Sequence, residues 1–403
     1  MPVSRNSTRK WPAVKFETLP WEIYEAIPSS RTALRRHRGP YRAAILSPIA
    51  DRDLILPPDL AAGVEDASNE VARFDSELGH EIAPFSSVLL RSESAASSKI
   101  ENLTASARSI AEAELHSPGR SNASLIVANA RAMTSAIALA DRIDARAILE
   151  MHAELLKASA PDIAGRWRDE QVWVGGSDIG PHNAMFVPPH HRRIPAAIDD
   201  LLAYIDRDDI PVLVHAAIAH AQFETIHPFT DGNGRTGRAL IHAQLRNKKL
   251  TRNVTVPVSA GLLANTDGYF DALTHYQDGN PIAIIEQITH ASFAAVANGR
   301  HLVGDLRSVR AEWQEVVKAR RATNTWRIVD LLLRHPVVNA SFIAEQLAIP
   351  KPHVYRSIAP LIEAGVLVEF TDRRRNKVWR TPQVLRALDD FAARAGRRNR
   401  VSR

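Results

Sequence analysis

The 403-residue chain contains no cysteine. That absence excludes disulfides, thiolate zinc sites and cysteine nucleophiles, and it is compatible with a reducing compartment, the cytoplasm being the default expectation. No run of about 18 apolar residues occurs, so no membrane-spanning helix is expected. Met1 to Pro20 carries Arg5, Arg9, Lys10 and Lys15 with no apolar stretch behind them, so a secretory signal is not expected either. No Gly-Lys pair occurs, which removes the ending a P-loop needs for its phosphates; kinase catalytic-loop and Asp-Phe-Gly signatures are missing too. Internal repeats and low-complexity arrays are absent.

What is present is apolar content, 45% of residues, enough to bury a substantial core. The length exceeds what one core usually supports, so two or three domains are expected. The net charge of +6 is uneven: residues 323 to 403 hold 15 Lys and Arg against 7 Asp and Glu. Any nucleic-acid contact is therefore expected near the end of the chain rather than on its acidic body.

The patterning is mainly α-helical. Residues 1–40 read as an arm, partly ordered by Trp11, Phe16, Trp21 and Tyr24, and 41–125 as an N-terminal helical region. Apolar residues recur at three or four positions from Leu60 to Leu78, and further helices are expected over 84–98, 102–115, 120–142 and 146–158. A core domain is expected over 126–300. Within it, β-prone residues around Gly175-Gly176 and Phe186-Val187-Pro188-Pro189 suggest a β-hairpin flap over 172–189. Helices over 211–225 and 235–246 would flank a loop. Helical pattern over 281–322, with a connector at 301–322, leads to helices at 324–335, 340–347 and 351–364 and strands at 366–370 and 377–381. Three helices and a basic β-wing over 323–383 make a winged helix-turn-helix, followed by a basic tail over 384–403.

The loop between the two flanking helices is the densest chemistry in the chain: His227-Pro228-Phe229-Thr230-Asp231-Gly232-Asn233-Gly234-Arg235-Thr236-Gly237-Arg238. An imidazole, free at about pKa 6.5, can accept a proton at neutral pH. A carboxylate can hold Mg²⁺. Glycines at 232, 234 and 237 let the backbone approach a ligand, and a helix starting near Arg235 points free N–H groups into the same turn. Guanidinium forks match phosphate oxygens. A nucleoside triphosphate is the natural occupant. Phe229 reads as an apolar anchor for the loop.

This string resembles the Fic family signature, histidine-x-phenylalanine-x-(aspartate or glutamate)-glycine-asparagine-glycine-arginine-x-x-arginine, at every fixed position. Ser97-Ser98-Lys99-Ile100-Glu101-Asn102 resembles the family's inhibitory-helix pattern, and 172–189 its flap, so the similarity reaches from about residue 40 to 295. The resemblance implies a Fic helical core and transfer of AMP from ATP to Ser, Thr or Tyr hydroxyls of target proteins and of the protein itself, with pyrophosphate leaving. It implies His227 as general base and Asp231 as ligand for Mg²⁺ or Mn²⁺. Asn233, Arg235 and the amides of Gly232 and Gly234, within the nucleotide-binding stretch 231–238 that includes Thr236 and Gly237, would cradle the α- and β-phosphates. Arg238 would clamp the γ-phosphate.

The same resemblance implies that Ser97, Glu101 and Asn102 restrain activity, Glu101 pairing with Arg238 in the γ-phosphate's place; in some family members this glutamate instead orients a water that removes AMP. Val174 and Gly175 would lie nearest nucleotide and target, the flap holding the target by backbone hydrogen bonds. Tyr269 and Gln277 would line the adenine site. Lys351, His353, Tyr355 and Arg356, with Arg373, Arg374 and Arg375 on the wing, are candidates for DNA contact; the competing expectation is a docking surface for protein or for a homodimer. Alternatives to adenylylation are a nucleotide-sensing transcriptional regulator and transfer of another nucleotide.

Overall fold

The computed structural model describes residues 11–21, 37–79, 82–115, 119–177, 179–320, 323–370 and 377–397. In chain order the elements are β1 (Lys15–Leu19), β2 (Tyr41–Ile45), α1 (Pro58–Glu77), α2 (Ile82–Ile100), α3 (Ala107–Leu115), α4 (Asn122–Ala138), α5 (Ala145–Leu156) and α6 (Ile194–Ile205). There follow α7 (Val212–Ile226), α8 (Asn233–Asn247), α9 (Val258–Leu263), α10 (Thr266–Gln277), α11 (Ile282–Val316) and α12 (Asn324–Arg334). The last are β3 (Val337–Asn339), α13 (Ala340–Leu347), α14 (Lys351–Glu363), β4 (Val368–Glu369), β5 (Val378–Arg380) and α15 (Pro382–Ala395). The molecule is mainly helical with small antiparallel sheets, as expected. No described helix is long and apolar enough to cross a membrane.

The chain divides into two compact units. The first comprises Met1–Glu65, Ser135–Lys248 and Asp267–Ile288. At its centre lies α7, buried on every face from Leu213 to Phe223, the behaviour of a helix apolar all round. Its alanines at 216, 217, 219 and 221 let neighbours come close. Gly237 of α8 shows how close: a Cβ there would lie 2.7 Å from Glu224 Oε1 and 3.0 Å from Phe223 Cδ1. Asp200 of α6 receives the main-chain N–H groups of Ile49 and Ala50 at 2.7 and 3.1 Å, tying the chain after β2 to the helical core.

The described residues within 1–40 are not merely an arm. β1 pairs antiparallel with β2 from Lys15↔Ile45 to Leu19↔Tyr41, and Trp11 packs on Tyr276 with ring centres 5.9 Å apart. Trp21 meets Tyr41 and Trp173 edge-on at 5.7 and 5.5 Å. Tyr24 lies outside the described residues.

The second unit comprises Asp66–Thr134, Lys249–Thr266 and Thr289–Arg403. Asp75 of α1 accepts the N–H groups of Arg252, Asn253 and Val254 at 3.0, 2.8 and 2.9 Å, and Glu93 of α2 accepts that of Ser259 at 2.8 Å. Two buried carboxylates thus fix the segment around α9, since an unmatched buried charge would be costly. The order α12, β3, α13, α14, β4, β5, with sheet order β3-β5-β4, is consistent with the expected winged helix.

Several boundaries differ. α2 continues to Ile100, so Ser97 is helical while Glu101 and Asn102 form the turn beyond it, Asn102 at φ 61°. Strands β4 and β5 are shorter than expected. The expected connector at 301–322 is the second half of α11, which ends at Val316. The basic tail expected from residue 384 is instead helical as far as Ala395: α15 buries Val384, Leu385, Leu388 and Phe391, a spacing that puts all four on one face. Arg398, Arg400 and Arg403 lie outside the described residues, as do Arg373, Arg374 and Arg375.

Candidate active site

The site is built where α7 ends and α8 begins, within the first unit. His227 terminates α7 in the left-handed conformation, φ 49° and ψ 61°, its N–H still donating to Phe223 O at 2.9 Å. Left-handed backbone is costly for a side chain other than glycine, and such strain persists only where surroundings enforce it. The enforcing group is Arg168. This buried guanidinium donates through Nε to the carbonyl of His227 at 2.8 Å, through Nη1 to that of Glu170 at 2.8 Å and through Nη2 to that of Pro189 at 2.6 Å. Its own N–H donates to Pro228 O at 3.0 Å. Burial pulls its pKa down to about 10, which leaves it charged at neutral pH.

A second missed residue, His152 of α5, supports the loop from beneath. Its ring stacks on Phe229, with centroids 3.6 Å apart and planes 6° from parallel, and Trp167 stacks 5.0 Å from the same ring. Gly165 N–H donates to His152 Nδ1 at 3.0 Å, which places the proton on Nε2, and Nε2 in turn donates to the carbonyl of Asp231 at 3.0 Å. Burial lowers the pKa of His152 to about 4, so it stays neutral. Phe229 is fully enclosed, the apolar anchor the sequence suggested; burying such a side chain contributes roughly 1.5–3 kcal/mol.

Gly232, at φ 80°, is the N-cap of α8, and a Cβ on it would lie 2.9 Å from Leu155 Cδ2. Glycine is therefore required there on two counts. Gly237 is different: it serves the close packing of α7 and α8 rather than a ligand nest. Asn233, expected on phosphate, laces the loop: its side-chain oxygen accepts the Phe229 N–H at 2.9 Å and its Nδ2 donates to the Phe229 carbonyl at 2.8 Å.

Asp231 projects outward, its side chain 60% exposed, with Arg235 Nη2 at 3.4 Å. Arg235 is itself buried, and its Nε lacks a hydrogen-bond partner. Arg238 is 1% exposed in the second turn of α8. Thr236 is buried, its N–H donating to Gly232 O at 3.0 Å while its hydroxyl is unpartnered. The start of α8 thus joins free amides, the positive end of a helix dipole and the Arg235 guanidinium with its unpartnered Nε, which together suit a polyphosphate.

The flap is present as two isolated antiparallel bridges, Val174↔Phe186 and Ser177↔Gly180, rather than a full ladder. Val174 exchanges main-chain bonds with Phe186, N to O at 2.8 Å, and accepts from Met185 at 2.9 Å; Gly175 turns at φ 71°. Val174 and Met185 are 38% and 85% exposed, so the flap offers an apolar edge to solvent. Its base is held by Val187, which accepts the Ala44 N–H at 3.0 Å and packs with Tyr41 and Ala43. Tyr269 is fully buried, its hydroxyl 2.8 Å from His220 Nε2, and burial lowers the pKa of that histidine to about 3. Its place is in the core, not on an open adenine surface. Gln277 is half-buried and accepts the Val14 N–H at 2.7 Å through its carbonyl.

In the second unit, Ser97 and Ser98 are fully buried on α2, and Asn129 Nδ2 donates to Ser98 Oγ at 3.1 Å and to Ser94 O at 3.0 Å. Glu101 is exposed in the turn that follows. On α14, Lys351, His353, Tyr355 and Arg356 are exposed while Val354, Ile358 and Leu361 are buried, so the four expected contact residues do face solvent.

Residues 142–245 match the profile of the Fic/DOC family. The chain is 36% identical over 105 residues to protein adenylyltransferase fic-1 of Caenorhabditis elegans, a match covering 25% of this chain and 19% of that protein. It is 32% identical over 136 residues to a probable protein adenylyltransferase of Aquifex aeolicus, covering 30% and 38%. The chain therefore spans well under half the length of these relatives. A Fic family protein of Desulfovibrio desulfuricans is similar in fold, with TM-score 0.53 and 21% identity, covering 81% of this chain and 97% of that one.

Proposed function

We propose, on the premise that residues 142–245 match the Fic/DOC family, that the protein is an adenylyltransferase moving AMP from ATP to Ser, Thr or Tyr hydroxyls of protein targets, itself included. The observation that carries this reading is the α7–α8 junction, where His227 closes one helix and the anion-binding start of the next follows six residues later. His227 takes the proton of a hydroxyl whose oxygen attacks the α-phosphorus; the bond from that phosphorus to the bridging oxygen breaks and pyrophosphate leaves. The amides of Gly232 and Gly234 and the guanidinium groups of Arg235 and Arg238 balance the phosphate charge.

The exposed carboxylate of Asp231 fits Mg²⁺ or Mn²⁺, since such ions take one or two carboxylates and complete their shell with phosphate oxygens and water. When bound, the ion supplies charge neutralisation to the phosphates. The target segment is proposed to lie along the flap, whose exposed Val174 and Met185 offer contact without demanding a particular sequence.

Autoinhibition through Ser97, Glu101 and Asn102 is part of the same proposal, supported by the fit of these residues to the family's inhibitory pattern: Glu101 competes with the γ-phosphate for Arg238. The test is incubation with labelled ATP. His227→Ala is expected to abolish labelling and Glu101→Gly to raise it above wild type; equal labelling by His227→Ala would overturn the catalytic assignment.

The exposed cationic and aromatic face of α14 favours a second activity, DNA binding through the winged helix. Gel shifts over a salt series decide it, because true DNA binding weakens steeply with salt. Absence of a shift at low salt removes this reading.

A further inference from the structure

A cavity of about 160 Å³ lies within the second unit, bounded by the last turns of α2, the segment 103–105, α3 and α15. Its volume arises from small side chains: Ala95, Ala96, Ala105 and Ala111 leave space that Ile110 and Phe391 do not fill. A cavity of about 150 Å³ accommodates benzene when its walls are apolar. The charged groups at the wall differ in how they are engaged. Arg91 donates to Glu114 at 2.6 Å and to the carbonyl of Arg334, and Asp389 accepts the N–H of Ala107 at 3.0 Å at the start of α3.

Lys99 is the exception. No carboxylate pairs with it among the described residues, and its ammonium sits where Gly396 lacks a side chain: a Cβ there would lie 2.8 Å from Lys99 Nζ. An apolar chamber beside a single uncommitted ammonium selects one ligand class, an apolar body ending in a carboxylate.

We propose that this cavity binds a small apolar carboxylate of about ten heavy atoms, held by Lys99, and that its occupancy sets the position of the turn carrying Glu101 and Asn102. The turn and the cavity share their wall: Asn102 N–H donates to Lys99 O at 3.0 Å and Leu103 N–H to Ser98 O at 3.0 Å, while Lys99, Leu103, Thr104 and Ala105 line the chamber. The cavity exists with the turn in the position described, so a ligand that fills it holds the turn there; under the proposed competition of Glu101 for Arg238, holding it there strengthens inhibition. This regulatory half rests on the autoinhibited enzyme proposed above; the binding half does not.

The full chain is titrated with 4-fluorophenylacetate and, separately, its neutral amide, both followed by fluorine NMR. Saturable binding of the acid is expected, with the amide weaker by about tenfold or more, the size of a charge-assisted contact. Lys99→Met should erase the difference between the two. Ala392→Trp, placed at an exposed position on the wall, should block both ligands without disturbing the core. No saturation at millimolar acid, equal affinity for acid and amide, or unchanged binding in both variants would each overturn the site. Labelling with ATP is read in parallel: the acid should lower it in wild type and leave Glu101→Gly unaffected, and equal suppression of both overturns the regulatory half. If neither protein labels at all, the enzyme reading falls while the NMR titration still judges the cavity.

Discussion

Arg168 Nε donates to the carbonyl oxygen of His227 at 2.8 Å, and the same guanidinium reaches the carbonyl of Pro189 at 2.6 Å. One side chain therefore sets the backbone of the candidate base and the end of the flap together. Arg168→Ala should destabilise the protein by about 3–5 kcal/mol, because three main-chain carbonyls, one buried and two partly buried, lose a charged donor at once. Arg168→Lys should recover less than half of this, since an ammonium cannot span the fork. Chemical denaturation measures both; a loss below about 1 kcal/mol for alanine would show that the clamp is dispensable.

At the start of α8, Gly232→Ala meets two penalties, a left-handed backbone and a contact of 2.9 Å with Leu155. A loss of about 2 kcal/mol is expected from the backbone and the clash combined. Labelling should fall further than stability, because the amides that follow are displaced. A variant as stable and active as wild type would contradict the required geometry.

The pH dependence follows from His152. Its folded pKa is near 4, against about 6.5 when unfolded. Between those values the unfolded chain binds more protons, so stability is full above pH 6.5 and declines as the pH falls toward 4, by about 3 kcal/mol from this group. The buried His220, lowered to about 3, adds a loss of the same sign. His152→Gln should therefore lose less stability between pH 7 and pH 5 than wild type does. Equal losses, measured by urea denaturation, would mean that His152 is already protonated in the fold.

Removal of divalent metal by EDTA should stop labelling by the Glu101→Gly protein, and Mg²⁺ should restore it. Asp231→Ala should shift the Mg²⁺ titration to higher concentration by about tenfold or more, the loss of one carboxylate ligand. A titration curve superimposable on that of Glu101→Gly alone would place the metal elsewhere.

The candidate catalytic loop is legible in the sequence because its chemistry is contiguous: imidazole, carboxylate, glycines and arginines fall within twelve residues. Its supports are not. Arg168 acts on a carbonyl 59 residues away and His152 on one 79 residues away, and neither separation leaves a local pattern. The role of Asn233 in the loop is not visible in the sequence, because an amide binds phosphate or main chain with the same atoms, and only the fold shows its bonds to Phe229. β1 was hidden by its brevity, and its partner strand begins 22 residues after it ends. α15 was obscured by composition: the arginines around it read as a tail, although Val384, Leu388 and Phe391 keep helical spacing.

The β1–β2 pairing has a consequence for the chain's behaviour outside catalysis. β2 is bordered by β1 on one side, and the Ala44 N–H reaches Val187 at the base of the flap. A molecule whose first twenty residues were clipped by a protease would present the bare flank of β2, with Tyr41 and Ala43 beside it deprived of the cover of Leu19. An open strand flank with apolar neighbours is a template for sticking to other chains. Loss of those few residues would be felt first as aggregation, in a protein whose loop 227–238 remained intact.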